Sequence, residues 1–254
     1  MNSTLPARPV ALITGASGGI GRACAVALAS AAEPCDIVAH YNASSAAAEE
    51  VAKDLSARCG VRAFAMQADL GKPGAAEKLV DDIAASFGPP TMLVHAAGHI
   101  VEKPIAFTKS EDWDALFEVH VFSAAALTKA MARHLRKTER GRVVYIGSLA
   151  GCIGLGNGAA YAAAKGALEG LCKSFALESA RWHTTVNVIA PGFVETHMTE
   201  NQDAERKAAL MQSVPLGRYG KSEEIASLAA YLCSTGAGYL TGQTIVMDGG
   251  VGLG

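Results

Sequence analysis

Short apolar runs rich in β-branched residues alternate along the chain with longer Ala-rich stretches. The short runs predict strands at residues 10–13, 36–39, 61–66, 92–95, 142–146, 185–189 and 244–247. The longer stretches predict helices at residues 19–31, 44–58, 73–87, 110–137, 159–181 and 222–232. Pro73 is predicted to be the first residue of its helix and Ser110 to be an N-cap. Because strands that are apolar throughout alternate with helices, we expect an α/β fold, a doubly wound parallel sheet in one domain spanning residues 1–254.

One segment departs from this alternation. Residues 192–214 follow the sixth predicted strand and are polar. They lie at the carboxyl end of the predicted sheet, where ligands bind in this architecture. We interpret the segment as a mobile substrate flap.

Composition and charge narrow the class of protein. Hydrophobic residues make up 50% of the 254 residues and charged residues 18%, which excludes a disordered chain. The formal net charge of −2 argues against a nucleic-acid binder. Residues 1–9 lack an apolar signal core, and no run approaches the roughly 18 apolar residues of a membrane-spanning helix. We therefore expect a cytoplasmic protein with neither a nucleic-acid nor a membrane partner.

The cysteines and histidines indicate neither a disulfide framework nor a metal site. The six cysteines are scattered, with no Cys-x-x-Cys pair, so we expect buried, reduced thiols. The seven histidines show neither His-x-x-x-His nor His-Glu-x-x-His spacing.

A glycine-rich turn joins the first predicted strand to the first predicted helix. It reads Thr14-Gly-Ala-Ser-Gly-Gly-Ile-Gly21. Glycines let the backbone turn sharply and approach a phosphate, which the N–H groups and partial positive charge of the helix N-terminus then favour. The alternative is a plain tight turn, and the position directly after the first strand favours phosphate binding.

Tyr161 and Lys165 lie four residues apart on one predicted helix and therefore share a face. A nearby ammonium stabilises a phenolate, so we expect Lys165 to lower the pKa of Tyr161 and to make it a usable acid or base. Ser148, just after the fifth predicted strand, is placed to hydrogen-bond the same substrate oxygen. The alternative is a surface tyrosine and a lysine on an amphipathic helix.

Taken together, these motifs resemble those of the short-chain dehydrogenase/reductase family. The glycine turn resembles the family's Thr-Gly-x-x-x-Gly-x-Gly, residues 161–165 its Tyr-x-x-x-Lys, and Ser148 its catalytic serine thirteen residues earlier. The resemblance implies a Rossmann-type fold, hydride transfer to or from a nicotinamide, and catalysis by Ser148, Tyr161 and Lys165. It also implies that Lys165 holds the nicotinamide ribose.

The resemblance and the glycine turn together give a set of predicted cofactor contacts. These are Gly15, Ser17, Gly18, Gly19, Ile20, Gly21, Tyr41, Asn42, Ser44, Asp69, Leu70, Ala96, Ala97, Gly98, Tyr161, Lys165, Pro191, Gly192, Val194 and Thr196.

NADP(H) is the favoured nucleotide. No acidic residue that would bind a ribose 2′-hydroxyl follows the second strand before Glu49, while Asn42, Ser44 and Ser45 offer hydrogen-bond donors there. His40 is the only possible cation nearby. Gly18 stands where many NADP-using relatives carry arginine, which argues the other way.

Two positions depart from the family pattern. Residues 95–98 read His-Ala-Ala-Gly where the family usually has Asn-Asn-Ala-Gly. His120 stands at the position of the family's fourth catalytic residue, an asparagine that helps hold a water of a proton relay. An imidazole also donates and accepts protons near neutral pH, so His120 is predicted to keep the relay with an altered pH dependence. The alternative is that His120 only packs structurally.

The sequence is also similar to the bacterial 3-oxoacyl-[acyl-carrier-protein] reductases of fatty acid biosynthesis, in residues 156–161, 191–199 and 239–244. That similarity implies reduction of a 3-oxoacyl thioester by NADPH. An acidic carrier protein would favour a basic patch beside the cleft, and a candidate cluster ends the long helix, with a solvated helix end as the alternative. The cluster consists of Arg133, Arg136, Lys137, Arg140 and Arg142.

Two alternative functions and an oligomeric state are also expected. Related reductases act on other ketones, sugars and sterols, and specificity among them lies in the flap and the pocket. A nucleotide-binding sensor without catalysis is a second class, against which the intact Ser148, Tyr161 and Lys165 argue. The resemblance implies a homotetramer packed through the long helices and the C-terminal region, where Ala124, Ala125, Ala126 and Ala130 would permit close contact.

Overall fold

Parallel strands form a central seven-stranded sheet in a computed structural model that describes residues 8–196 and 204–253. The strands are β1 (Val10–Thr14), β2 (Asp36–Tyr41), β3 (Ala63–Gln67), β4 (Pro90–His95), β5 (Arg142–Ile146), β6 (Thr185–Pro191), β7 (Val194–Glu195), β8 (Gly220–Lys221) and β9 (Thr244–Met247). The sheet order is β3-β2-β1-β4-β5-β6-β9, and β7 pairs with β8 outside it. Every pair is parallel, which confirms the predicted doubly wound α/β fold.

Helices cover both faces of the sheet. They are α1 (Gly19–Ala29), α2 (Ser45–Cys59), α3 (Ala75–Ser86), α4 (Ser110–Phe117), α5 (Ser123–Leu135), α6 (Leu149–Ile153), α7 (Ala159–Ser179), α8 (Ala204–Gln212) and α9 (Ser222–Cys233). Alternate β1 side chains enter different cores, since successive strand residues point to opposite faces. Ile13 packs with α1, α2 and α9, whereas Leu12 packs with α3, α5 and α7.

Two predicted helix starts are wrong. Ser110 is the first residue of α4 rather than its cap, because the Asp112 carboxylate accepts the Lys109 backbone N–H at 2.9 Å and fixes Lys109 as the N-cap. Pro73 lies outside α3, which begins at Ala75 after Gly74 takes a left-handed conformation.

The long helix predicted over residues 110–137 is divided. A π-helical turn, Glu118–Phe122, separates α4 from α5. A single π turn in an α-helix is uncommon and is frequent at functional sites. The stretch Ser110–Leu135 is long and apolar enough to cross a membrane by length and composition alone, a test that a buried core helix also passes. Its apolar side chains on α5, such as Leu127 and Met131, pack in the core beneath the sheet.

The strand order reverses between β1 and β4, so the chain leaves their carboxyl ends in opposite directions and opens a crevice there. Within the segment predicted as a flap, β7 and α8 are described, whereas residues 197–203 lie outside the described part of the chain. The predicted functional residues that follow β1, β4, β5 and β6 therefore lie at one edge of the sheet.

Candidate active site

The turn after β1 is built for close backbone contacts. Gly15 has φ +69° and Gly19 has φ +52°, both in the left-handed region that favours glycine. A Cβ on Gly15 would lie 3.0 Å from backbone atoms of Ala97, and one on Gly21 only 2.2 Å from the Gly15 oxygen. Helix α1 begins at Gly19 without a capping side chain or an acidic residue in its first turn. Its N-terminal N–H groups are therefore suited to bind a phosphate.

A buried hydrogen-bond chain connects this turn to β4 and the long helix. Thr14 Oγ1 accepts the backbone N–H groups of Ala96 and Ala97, each at 3.0 Å, so its own proton faces His95 Nδ1 at 3.0 Å. His95 Nε2 lies 3.4 Å from the Ser123 hydroxyl at the start of α5. Burial lowers the pKa of His95 to about 3, so the ring is neutral. His95 thus has a structural role that its sequence position alone did not indicate.

Ser148, Tyr161 and Lys165 come together beyond the carboxyl end of β5. The Ser148 side chain hydrogen-bonds the Tyr161 phenol and also accepts the Ala150 backbone N–H at 3.1 Å. Lys165 Nζ lies 5.7 Å from the centroid of the Tyr161 ring and donates to the Ile146 carbonyl at 2.8 Å. The lysine therefore hydrogen-bonds the last residue of β5, two residues before Ser148.

The predicted direction of the Tyr161 pKa shift is wrong for the protein alone. Burial raises the pKa of Tyr161, and the hydrogen bond from Ser148 opposes that shift only in part. Burial lowers the pKa of Lys165 to about 7, so the ammonium that was expected to stabilise a phenolate is itself destabilised. The phenol is consequently protonated at neutral pH.

Close contacts of two glycines set the distance between Ser148 and Tyr161, and no sequence pattern indicated these contacts. A Cβ on Gly151 in α6 would lie 2.8 Å from the backbone of Lys165 and of Gly166 in α7. A Cβ on Gly147 would meet the Val188 side chain at 2.6 Å. At both positions, therefore, only a glycine leaves room for the neighbouring atoms to lie this close to the backbone beside Ser148.

His120 lies at the same site, in the π-helical turn. Its ring packs edge-on against the Tyr161 ring, with centroids 5.6 Å apart, and its Nε2 donates to the His99 carbonyl at 2.8 Å. Nδ1 is buried without a hydrogen-bond partner. The ring also occupies the space beside Gly98, where a Cβ would lie 1.9 Å from its Cε1. Burial, together with the charge of Lys165, holds the His120 pKa well below its usual range.

Comparison with known proteins identifies the family. The family model described as enoyl-(acyl carrier protein) reductase matches residues 15–252. The chain belongs to the short-chain dehydrogenase/reductase family. It is therefore an oxidoreductase of a family whose members act on C=O and CH–OH groups with a nicotinamide cofactor.

The similar proteins fall into two groups by name. The chain is 38% identical to the 3-oxoacyl-[acyl-carrier-protein] reductase FabG of Escherichia coli over 95% of its length and 96% of that protein's. Its identity to the corresponding reductase of Synechocystis is 39%, with the same coverage of both chains. Among solved structures, acetoin dehydrogenase YohF of Salmonella typhimurium is 36% identical with a TM-score of 0.88, over 97% of this chain and 96% of that one. Acetoin dehydrogenase of Enterobacter cloacae is 34% identical with a TM-score of 0.89, over 98% and 97%.

The residues predicted to bind a nucleotide by the family resemblance surround the crevice. Ser17, Gly18 and Ile20 lie in the glycine turn beside Gly19, and the Thr196 methyl lies 3.5 Å from the position of a Cβ on Gly19. Asp69 accepts the Gly71 N–H at 3.2 Å in the turn after β3, next to the buried Leu70, and Gly192 follows Pro191 at the end of β6. Tyr41 is the last residue of β2, and Asn42 and Ser44 lie between β2 and α2, where both are exposed. Val194 is buried in the core, which leaves only its backbone for such a contact.

His40, which the sequence offered as the only possible cation near a 2′-phosphate, does not supply that charge. His40 is buried, and burial lowers its pKa to about 4, so it carries no charge at neutral pH. Among the described residues, Asn42, Ser44 and Ser45 remain as exposed polar side chains at the start of α2.

The predicted basic patch is smaller than the sequence indicated. Arg142 is buried and donates to backbone carbonyls, and Arg140 forms an ion pair with Glu33. Arg133 is exposed and paired with Asp81. Because β5 starts at Arg142, both Arg140 and Arg142 lie at the amino-terminal edge of the sheet. The crevice lies at the opposite, carboxyl-terminal edge.

The thiol prediction holds for most of the cysteines. All six are free, and Cys24, Cys35, Cys172 and Cys233 are buried. Cys152 is exposed in α6, where burial of its sulfur and the neighbouring Glu169 raise its pKa to about 11. Within residues 8–196 and 204–253, no three His, Cys, Asp or Glu side chains are grouped to hold a metal ion.

Proposed function

We propose that this chain reduces 3-oxoacyl thioesters carried on acyl-carrier protein to 3-hydroxyacyl thioesters in the cytoplasm, with NADPH as reductant and Tyr161 as general acid. The observation that carries the proposal is the hydrogen bond between Ser148 and Tyr161 with Lys165 beside them, at the edge of the sheet where ligands bind. The names of the E. coli and Synechocystis relatives support the substrate class.

The residues of the crevice fit the nucleotide. The glycine turn and the free N-terminus of α1 would hold its diphosphate, and Lys165 would hold the nicotinamide ribose. Once bound, the reduced nicotinamide supplies the hydride. The absence of a carboxylate between β2 and Glu49, with Ser44 and Ser45 exposed at the start of α2, supports NADPH over NADH. A kcat/KM ratio for NADPH over NADH below one would reverse this choice.

The protein's own groups would move the proton. The raised pKa of Tyr161 keeps the phenol protonated, which suits a residue that donates its proton to a carbonyl oxygen as that carbon accepts hydride. In the protein alone the Ser148 hydroxyl accepts the Ala150 N–H and hydrogen-bonds the Tyr161 phenol. With substrate bound, the serine proton would turn from the phenol to the substrate oxygen. The O–H bond of Tyr161 breaks, the new O–H bond forms on the substrate, and Lys165 stabilises the phenolate left behind.

His120 has two candidate roles. In the first, its unpaired Nδ1 accepts a hydrogen bond in the relay that returns a proton to Tyr161. In the second, the ring only packs between Gly98 and Tyr161. The pH–rate profiles of His120→Asn and His120→Ala distinguish them. Unchanged profiles for both variants would remove His120 from the relay.

A substrate panel tests the function. We expect NADPH consumption to be fastest with an acetoacetyl thioester on acyl-carrier protein, slower with a free thioester, and slowest with small ketones. Tyr161→Phe should lower kcat by about 100-fold or more, because it removes the general acid. If Tyr161→Phe leaves turnover intact, the mechanism is wrong.

A second candidate is the interconversion of a small hydroxyketone with its diketone. The structures of two acetoin dehydrogenases, which match nearly the whole chain, favour it. Faster turnover of acetoin or diacetyl than of any thioester would support this candidate over the first. A third possibility, a sensor without catalysis, would appear as nucleotide binding without turnover on the whole panel.

We also propose a homotetramer. Of the α5 alanines named above, Ala124 is buried in the chain's own core, whereas Ala125, Ala126 and Ala130 are partly exposed and would allow close packing of long helices. The apolar exposure at β9 and beside it supports a further contact through the C-terminal region.

A further inference from the structure

His40 is a buried imidazole with a defined hydrogen-bond partner on each ring nitrogen. It lies in β2, opposite Met66 of β3, and is only 2% exposed. The Gly15 N–H donates to its Nδ1 at 3.3 Å, and its Nε2 lies 3.0 Å from the Ala68 carbonyl. Because an amide N–H can only donate and a carbonyl can only accept, Nδ1 is the bare nitrogen and Nε2 carries the proton.

These contacts connect three loops at the adenosine side of the crevice. Gly15 opens the glycine turn, and the adjoining Ala16 N–H donates to the His40 carbonyl at 2.9 Å. Ala68 directly precedes Asp69, which with Leu70 resembles the family's adenine-contacting pair. The residue after His40 is Tyr41, a predicted cofactor contact at the end of β2, where family members usually bind the adenine ribose.

The backbone of Gly15, which donates to His40 Nδ1, has little conformational freedom. Its left-handed backbone and the 3.0 Å approach of Ala97 to the position of a Cβ fix the direction of its N–H. The His40 ring therefore sets how far the phosphate-binding turn lies from the loop after β3. Nothing in this arrangement needs a charge on the imidazole, and burial keeps its pKa at about 4.

We infer that His40 is a positioning residue for the adenosine half of the nucleotide, which fixes the spacing between the glycine turn and the Ala68–Leu70 loop and makes no contact with a 2′-phosphate. The inference rests on the nucleotide binding proposed above, but not on the proposed acyl substrate.

Three substitutions separate the two hydrogen bonds. His40→Asn offers an acceptor near the position of Nδ1 but does not reach Ala68. His40→Gln offers an amide N–H at the distance of Nε2, and His40→Phe keeps a ring and removes both bonds. His134→Phe, in the last turn of α5, is the matched control. The dissociation constants of NADPH, NADH and ADP-ribose are measured by titration, well below the unfolding midpoint of each variant.

We expect His40→Phe to raise all three dissociation constants by a common factor of about ten, with smaller and again equal increases for Asn and Gln. At saturating nucleotide, kcat should stay within about twofold of wild type, and the control should change nothing. A loss confined to NADPH would overturn the inference, since it would mark His40 as a phosphate ligand. Unchanged constants in all folded variants would also overturn it and would leave only a structural role.

The same titration separates the inference from the proposed function. A wild-type chain that binds the nucleotides but reduces no thioester overturns the substrate assignment, and the His40 comparison is unaffected. A wild-type chain that binds neither nucleotide overturns both.

Discussion

At the scale of single residues, the candidate site places a cationic side chain where burial opposes its charge. Lys165 is buried, and within the described part of the chain its Nζ hydrogen-bonds only the Ile146 carbonyl. Burying a charged group with few partners lowers the stability of the fold. Active sites commonly keep such a destabilising residue because the chemistry needs it. The spacing of Tyr161 and Lys165 on one helix could be predicted from sequence. Their pKa directions could not, because burial depends on elements far apart in the chain.

The cost of burying Lys165 leads to a pH-dependent prediction for stability. The folded pKa of about 7 lies below the ordinary value of 10.5, so between these values the unfolded chain binds more protons and stability rises with pH. The penalty is fully present below about pH 7. We expect Lys165→Met to have a free energy of unfolding higher than wild type by about 1 kcal/mol or more at pH 6, with the difference shrinking towards pH 10. Denaturant unfolding across this range measures it.

Lys173→Met is the control for this prediction, because Lys173 lies on the same helix with an exposed side chain. Its difference from wild type should not depend on pH in that window. A Lys165→Met variant less stable than wild type at pH 6 would mean that the hydrogen bond to Ile146 outweighs the burial penalty.

The contact between Gly98 and His120 gives a prediction for a pair of residues. Gly98→Ala would push a methyl group into the imidazole, which has no free space, and should cost about 1–3 kcal/mol of stability. In a His120→Ala background the same change should cost much less. A double-mutant cycle on the free energy of unfolding measures the coupling. Additive effects would show that His120 moves away freely and does not depend on glycine at 98.

At the scale of elements, the position of α6 against α7 determines the geometry of the site. Sequence patterns predicted the strand and the long helix that carry the three motif residues, but not the short α6 between them. The π-helical turn was also missed, since its apolar periodicity resembles that of the flanking α-helix. The sequence could not indicate the contact between the backbones of Gly151 and Gly166. Such a contact involves no side chains, so it leaves no pattern of hydrophobic or polar residues.

Gly151→Ala tests that contact. A Cβ 2.8 Å from the backbone of α7 forces α6 away from it and should misalign Ser148 with Tyr161, so we expect kcat to fall about tenfold or more. Gly170→Ala is the matched control in α7, where a Cβ meets nothing within 4 Å. It should leave kcat within about twofold and raise stability by about 0.5–1 kcal/mol. Equal kinetics for the two variants would exclude the contact as a determinant of alignment.

In the molecule as a whole, both edge strands of the sheet carry exposed apolar side chains, and Phe64 on β3 is 60% exposed. The β9 edge carries exposed apolar side chains on and beside it, including Val246, Leu177 and Tyr239. Leu177 follows Ala176, whose side chain packs against Gly242 just before β9. An exposed apolar edge invites pairing with another chain, and soluble proteins usually cover or charge such an edge. The proposed tetramer would cover it with a second copy.

Val246→Lys therefore tests the assembly. A lysine at this 45% exposed position would bring charge into a contact between copies and should shift wild-type tetramers to smaller species, as measured by light scattering after size-exclusion chromatography. Val26→Lys is the control, since Val26 is 40% exposed and lies on α1, across the sheet from the long helices. It should leave the mass unchanged. A wild-type chain that runs as a monomer would contradict the proposed tetramer, whereas a tetramer unaffected by Val246→Lys would place the contact on α5 rather than on β9.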